Sequence, residues 1–286
     1  MQYVGDKKNL TEIVSVVDKL PSLSIVILKI EEMLNDPDLT AGDLVQVISS
    51  DQALTARILR VVNSGFYGIK NHIDSLGHAI MMLGFKTIKN IVLTTEVFKV
   101  FSENNRNVFD RYLFWKHNLA CGCAARVMAQ FIGLDRPEEV FIGGLLHDIG
   151  KLFFDHYSPK EFKEVIDKVV FEDIPVVDAE KEVFGFNHSM VGGMLAEKWG
   201  FPDSLKSMIE HHHMPLESAD FFEESASVKI GDFLARAFCV GFSGDDKISY
   251  IEPELHQMIE RVNQNKLFSA AFGAMMNSND FLDSLL

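Results

Sequence analysis

The sequence predicts an all-α protein: a helical bundle preceded by an additional N-terminal helical lobe. Two observations predict the helical class. Apolar residues recur at helical spacing along almost the whole chain, and strand-like alternation is nearly absent. Proline, glycine and capping residues then punctuate the chain at helix-length intervals.

In the first third, the pattern predicts helices over 8–19, 23–35, 40–49, 52–63, 74–83 and 85–101. Pro21 closes the first, Asn35-Asp36-Pro37 the second, Asp51 caps the fourth, and Gly65 and Gly68 bracket Phe66-Tyr67. Leu83-Gly84-Phe85 separates the last two, giving 75–93 a helix-turn-helix look that is also the pattern of a plain helical hairpin. The polar stretch Ser102-Glu103-Asn104-Asn105-Arg106-Asn107 is the expected boundary, dividing the chain into a lobe of residues 1–105 and a His-rich lobe of 106–286 with further C-terminal helices. Beyond it, helices are expected over 110–131, 136–154, 159–170, 175–184, 188–199, 203–213 and 222–240. Asp135 and Glu138 form an expected capping box, and Pro215 lies just past the 203–213 helix.

The 286 residues, 47% of them hydrophobic, can bury one large core or two modest ones. A net charge of −14 argues against a broad nucleic-acid surface, because backbone phosphates are bound largely by Lys and Arg. No apolar run approaches the roughly 20 residues of a membrane helix, and the N-terminus lacks a signal-like stretch, so a cytoplasmic protein is expected. The three cysteines are then expected to be small core residues, with Cys121 and Cys123 pointing in different directions on one helix.

The chemistry-bearing residues are His117, His147-Asp148, His188, His212-His213 and Asp232. An imidazole next to a carboxylate inside the apolar run Gly143-Gly144-Leu145-Leu146-His147-Asp148-Ile149-Gly150-Lys151 is costly to bury, and a metal ion offsets that cost. Helical spacing sets each on an inward face. His117 shares a stripe with Cys121, Ala124 and Ala125, whose small side chains admit a second helix. His147 lies above Gly144, and His188 follows the capping residue Asn187. His212 and His213 fall with Leu205 and Ile209, whereas His211 falls on the opposite, solvated side. Asp232 lies on an apolar stripe with Val228 and Ala235, so its partner is a metal or Arg236 one turn on. His72, His78, His156 and His256 carry no such pattern.

An imidazole and carboxylate set without thiolate suits iron, manganese, zinc or nickel. Asp148 has two oxygens with which to bridge two ions, His117, His147 and Asp232 serving one and His188, His212 and His213 the other. Two such ions hold a phosphate and ionise water near neutral pH. Asp148 and Lys151 are the candidate catalytic residues, Lys151 as a phosphate-charge stabiliser, although a lysine at that place is equally read as a surface residue.

In order, these seven residues resemble the HD superfamily of metal-dependent phosphohydrolases. The N-terminal stretches Leu20-Pro21-Ser22-Leu23, Asp51-Gln52-Ala53-Leu54-Thr55, Asn63-Ser64-Gly65-Phe66-Tyr67-Gly68 and Ala79-Ile80-Met81-Met82-Leu83-Gly84 resemble its HDOD branch, as do Trp115 to His117 and Trp199-Gly200-Phe201-Pro202. The resemblance spans residues 14–240 and implies an HD-type helical bundle with the additional N-terminal lobe, bacterial signal transduction, a signalling protein partner and a phosphoester or nucleotide ligand. Many members of the branch lack ligands and act as scaffolds; this chain keeps the full set. It lacks the Gly-Tyr-Pro signature of the cyclic-dinucleotide branch, reading Met214-Pro215-Leu216-Glu217 there, and has Leu113 where trinuclear members carry Glu. Two alternative functions stand beside metal-dependent hydrolysis. One is a non-catalytic interaction scaffold with a structural or sensory metal, contacting its partner through Asp51, Arg57, Arg60 and Asn63. The other is a di-iron oxygenase of the same ligand order.

Overall fold

The computed structural model describes Val17 and residues 23–34, 36–101, 108, 110–248 and 250–285. Apart from Val17, the expected 8–19 helix lies outside the described residues, as do Leu20-Pro21-Ser22 and the expected boundary stretch 102–107. Every regular element among the described residues is helical. None of these helices is long and apolar enough to cross a membrane. The chain divides into two compact units, Pro21–Glu103 with Asn277–Leu286, and Asn104–Met276 with Met1–Leu20.

The smaller unit holds α1 (Ile25–Met33), α2 (Ala41–Ile48), α3 (Gln52–Val62) and α4 (Leu76–Phe101). Thr40 caps α2 through a reciprocal capping box with Asp43, and Asp51 caps α3 by accepting from the Leu54 N–H at 3.0 Å. Gly84, at φ 80°, breaks α4 where the sequence expects the turn. Asn63 ties the loop after α3 to Ile73 in both directions, its amide donating to Ile73 O and its carbonyl accepting from Ile73 N–H, each at 2.7 Å. Asp51 and Asn63 are thus occupied by structural bonds, which leaves Arg57 and Arg60 of the four expected contacts. The last helix of the chain, Asn279–Leu285, also packs in this unit. It lies on α3, and Phe281 stacks against Phe66 at 4.7 Å. Sequence reading assigns the tail to the His-rich lobe; the ring contact, between residues more than 200 apart, draws it here instead.

The larger unit is built around α5 (Arg111–Ile132). It continues with α6 (Pro137–Leu146), α7 (Ile149–Tyr157), α8 (Pro159–Glu172), α9 (Val176–Phe184), α10 (His188–Lys198), α11 (Asp203–His211), α12 (Phe222–Ala237), α13 (Pro253–Glu260) and α14 (Gln264–Met276), after which Asn279–Leu285 is α15. Residues 117–125 are buried on every side of α5, since α6, α12 and α14 all pack against it. Its close neighbours rely on glycine. A Cβ on Gly144 of α6 would lie 2.6 Å from the Gly122 Cα of α5, and one on Gly231 of α12 would lie 3.0 Å from the Ala125 Cβ.

Four sequence expectations change here. The single 136–154 helix is two helices meeting at His147-Asp148, where Asp148 adopts φ −93° and ψ 11°. A β-carbon on Gly150 would collide with the His188 carbonyl, so this break and this glycine together seat α7 against the start of α10. Helix α6 is capped by neither Asp135 nor Glu138; it starts on Pro137, which has no N–H to satisfy. Helix α11 ends at His211, so His212 and His213 lie in the following turn. Cys121 and Cys123 are buried and unpaired as expected, but Cys239 is exposed, at φ 54° in a loop.

Because backbone faces backbone at the α5–α6 crossing, Gly144→Ala is expected to cost about 1–3 kcal/mol by forcing the helices apart. Urea denaturation measures it.

Candidate metal centre

Seven side chains from five places in the chain converge in the larger unit. His117 projects from the second turn of α5, His147 and Asp148 from the break between α6 and α7, and His188 from the first residue of α10. His212 and His213 come from the turn after α11, and Asp232 from α12. Of these, His147, Asp148 and His188 are completely inaccessible to solvent. His211 is half-buried and outside the cluster.

The ligand atoms form two groups, His188 with His212 and His213, and His117 with His147 and Asp148. Within each, one ligand atom per residue lies within 4.8 Å of the others. In the first group the His188 Nε2 is 3.4 Å from that of His212 and 2.9 Å from that of His213. In the second, Asp232 Oδ1 lies 2.9 Å from His117 Nε2 and 3.8 Å from His147 Nε2. Asp148 spans the two. Its Oδ2 is 3.5 Å from His147 Nε2 and its Oδ1 is 3.0 Å from His188 Nε2.

The far side of the imidazole rings explains their aim. His147 Nδ1 lies 2.7 Å from Gly144 O and His212 Nδ1 2.8 Å from Ile209 O, each one turn back along the chain. An Nδ1–H donated there leaves Nε2 as the lone-pair nitrogen turned into the cluster. His188 has no such carbonyl and uses Glu180 Oε2 at 2.7 Å. Sequence reading missed Glu180, although it carries the signal that marks Asp232: a carboxylate on an apolar stripe, here with Val176, Ala179 and Phe184.

Charge is balanced within the cluster. Burial would protonate Asp148, but His147, Lys151 and His188 hold its carboxyl well below the usual carboxylate range. Asp232, also against its burial, is held well below that range by Arg236 and His117. Burial pushes His212 and His213 well below the ordinary imidazole value, and the neighbouring histidines push the same way. His117 is lowered by burial despite Asp232, whereas Asp148 raises His147 well above that value despite burial. His188, against its burial, is likewise raised by Glu180 and Asp148. The ionised carboxylates and the neutral forms of His117, His212 and His213 are the state in which such groups ligate a metal. One buried atom fits that chemistry further: His147 Nε2 makes no well-formed hydrogen bond, its nearest carboxylate oxygens lying 3.5 and 3.8 Å away, and an orphaned buried polar atom calls for a partner.

Lys151 is fully buried, one turn from Asp148, with Nζ 2.7 Å from Asp148 Oδ2 and 3.4 Å from Ser243 Oγ. The surface reading of this lysine is therefore wrong. Arg236 donates through Nε to both Asp232 oxygens, at 2.9 and 3.1 Å, and through Nη1 to the Asp245 carbonyl at 2.9 Å and the Asp245 carboxylate. Asp245 also accepts from the Val176 N–H at the start of α9. A cleft of about 490 Å³ opens beside His213 and Arg236, with Lys181 and Lys247 on its walls and Met214 and Tyr250 among its apolar lining.

A helical bundle burying two histidine-centred groups joined by an aspartate is a protein of the HD class. The HDOD domain family model matches residues 20–215, and the chain belongs to that family. It is similar to an HDOD domain protein of unknown function from Geobacter sulfurreducens, at 26% identity and TM-score 0.79, covering 94% of this chain and 96% of that one. A structure named "Putative phosphohydrolase" from Shewanella amazonensis SB2B shares the fold at 23% identity and TM-score 0.77, over 96% of this chain and 98% of the other. An uncharacterized protein of Treponema pallidum is 25% identical over 199 residues, 69% of this chain; the match spans only 38% of that longer relative.

Asp232→Asn removes one of the two carboxylates that pair with the buried Arg236 and leaves it only Asp245; in metal-stripped protein at neutral pH it is expected to cost about 1–3 kcal/mol. Because the folded pKa of Asp232 is lowered, its contribution is present above about pH 4 and is lost as pH falls through the folded value. The difference between variant and native protein in denaturant titrations should therefore shrink on acidification.

Proposed function

We propose that the chain is a signal-transduction HDOD protein whose centre binds two divalent transition-metal ions and hydrolyses a phosphoester. One observation carries this reading: the two oxygens of the buried Asp148 face two different histidine groups. His117, His147 and Asp232 would hold one ion and His188, His212 and His213 the other, with Asp148 between them. Bound ions of this kind polarise a phosphoester and ionise water near neutral pH.

The protein's own residues do the rest. Lys151 faces the bridging carboxylate, where its charge stabilises negative charge gathering on a phosphoryl group. Arg236 holds Asp232 in place from behind. The cleft beside His213 receives the remainder of the substrate, Lys181 meeting its charged part and Met214 and Tyr250 an apolar or planar group. Partner contact falls to the smaller unit, where Arg60 is exposed and Arg57 half-buried.

Metal content by elemental mass spectrometry tests the reading, using untagged native protein beside Asp148→Ala. The native chain should hold ions that the variant loses. With a nucleotide panel and bis(p-nitrophenyl) phosphate, Lys151→Met should retain metal and lower kcat by about 10²-fold. Equal hydrolysis by native protein and Asp148→Ala would sink the enzyme reading. Folded native protein that refuses every metal would leave the scaffold.

A further inference from the structure

The imidazoles of this centre are not held alike. His147 and His212 each have a backbone carbonyl one turn back within reach of Nδ1. His188 is the first residue of α10, so no helical turn precedes it to offer one. The acceptor comes from another helix: Glu180 of α9, whose Oε2 lies 2.7 Å from His188 Nδ1 and accepts from the His188 N–H at 2.8 Å. Glu180 is fully buried, and its Oε1 has no hydrogen-bond partner. Two acceptors serve the start of α10: Glu180 takes the His188 N–H, and Asn187 takes the Met190 N–H at 3.1 Å. Burying a carboxylate with one oxygen unbonded is costly, and both of its hydrogen bonds are with His188, one at the backbone N–H that fixes the residue and one at the ring.

We propose that Glu180 is a positioning residue for metal binding at the His188–His212–His213 group. It fixes the His188 tautomer with Nε2 toward His212 and His213, holds the ring in their plane of approach, and makes that nitrogen a stronger donor. The inference rests on the reading of the centre as a metal site and adds to it a residue outside the ligand set. Removing such a carboxylate partner lowers metal affinity by about 10–100-fold.

The test titrates the metal-stripped full chain with Co²⁺, following visible absorption bands, for native protein, Glu180→Gln, Glu180→Ala and His188→Ala. The His188→Ala titration identifies which Co²⁺ step belongs to this group. Glu180→Gln should weaken that same step about tenfold and shift its bands, and Glu180→Ala should weaken it further, with the other step unchanged. Thermal unfolding of metal-free Glu180→Gln should stay near native; if Glu180→Ala fails to fold, Glu180→Gln decides. Native affinity and spectrum in Glu180→Gln would overturn the role of Glu180 while leaving the metal centre standing. So would weakening confined to the step that His188→Ala spares. Native protein that binds no Co²⁺ overturns the metal centre, and this inference with it.

Discussion

A carboxylate withdrawn completely from water must be met by positive charge or by donors, and in this protein the geometry of the larger unit follows from meeting Asp148. The residue sits where α6 gives way to α7. That break lets His147 and Asp148 face the same interior point, and it brings Lys151 to within 2.7 Å of the carboxylate one turn later. The backbone departs from the helix at Asp148, and both side chains of the pair reach the same cluster. Glycines at 122, 144, 150 and 231 then let α5, α6, α7, α10 and α12 close on that point.

Around the cluster, support comes from a few bonds of long sequence range. Glu180 reaches His188 from α9. Lys229, nearly buried, donates to the His213 carbonyl at 2.8 Å and to Glu252 at 2.5 Å, which pins the turn after α11. Asp155 accepts from the Val108 N–H and from Arg111, fastening the start of the unit to α7. Such groups leave the ligands little rotational freedom, the condition under which a polar cluster can be both buried and ordered.

Much of this was legible in the sequence. Helical spacing places all seven cluster residues on inward faces and His211 outside, and the motif series points to the family. What spacing alone misses is physical. The apolar run through Gly143 to Leu146 conceals the end of α6, because the turn at His147-Asp148 is imposed by the contact of Gly150 with α10 and not by a local breaker. Lys151 reads equally as surface or interior until Ser243 and Asp148 are seen beside it. Glu180 carried the same sign as Asp232, a carboxylate among apolar neighbours, but it has no place in the ordered motif series that singled out Asp232. The final helix gives no local cue to its unit; its place depends on Phe281 meeting Phe66.

Asp245 carries two loads at once. It receives the first N–H of α9, which forms a wall of the cleft, and it receives Arg236, which grips Asp232. The wall and the centre therefore hang from a single hinge pin. Asp245 Oδ2 holds the start of that wall while its Oδ1 and carbonyl hold the guanidinium, so one residue of an irregular loop anchors both the cleft and the support of the cluster.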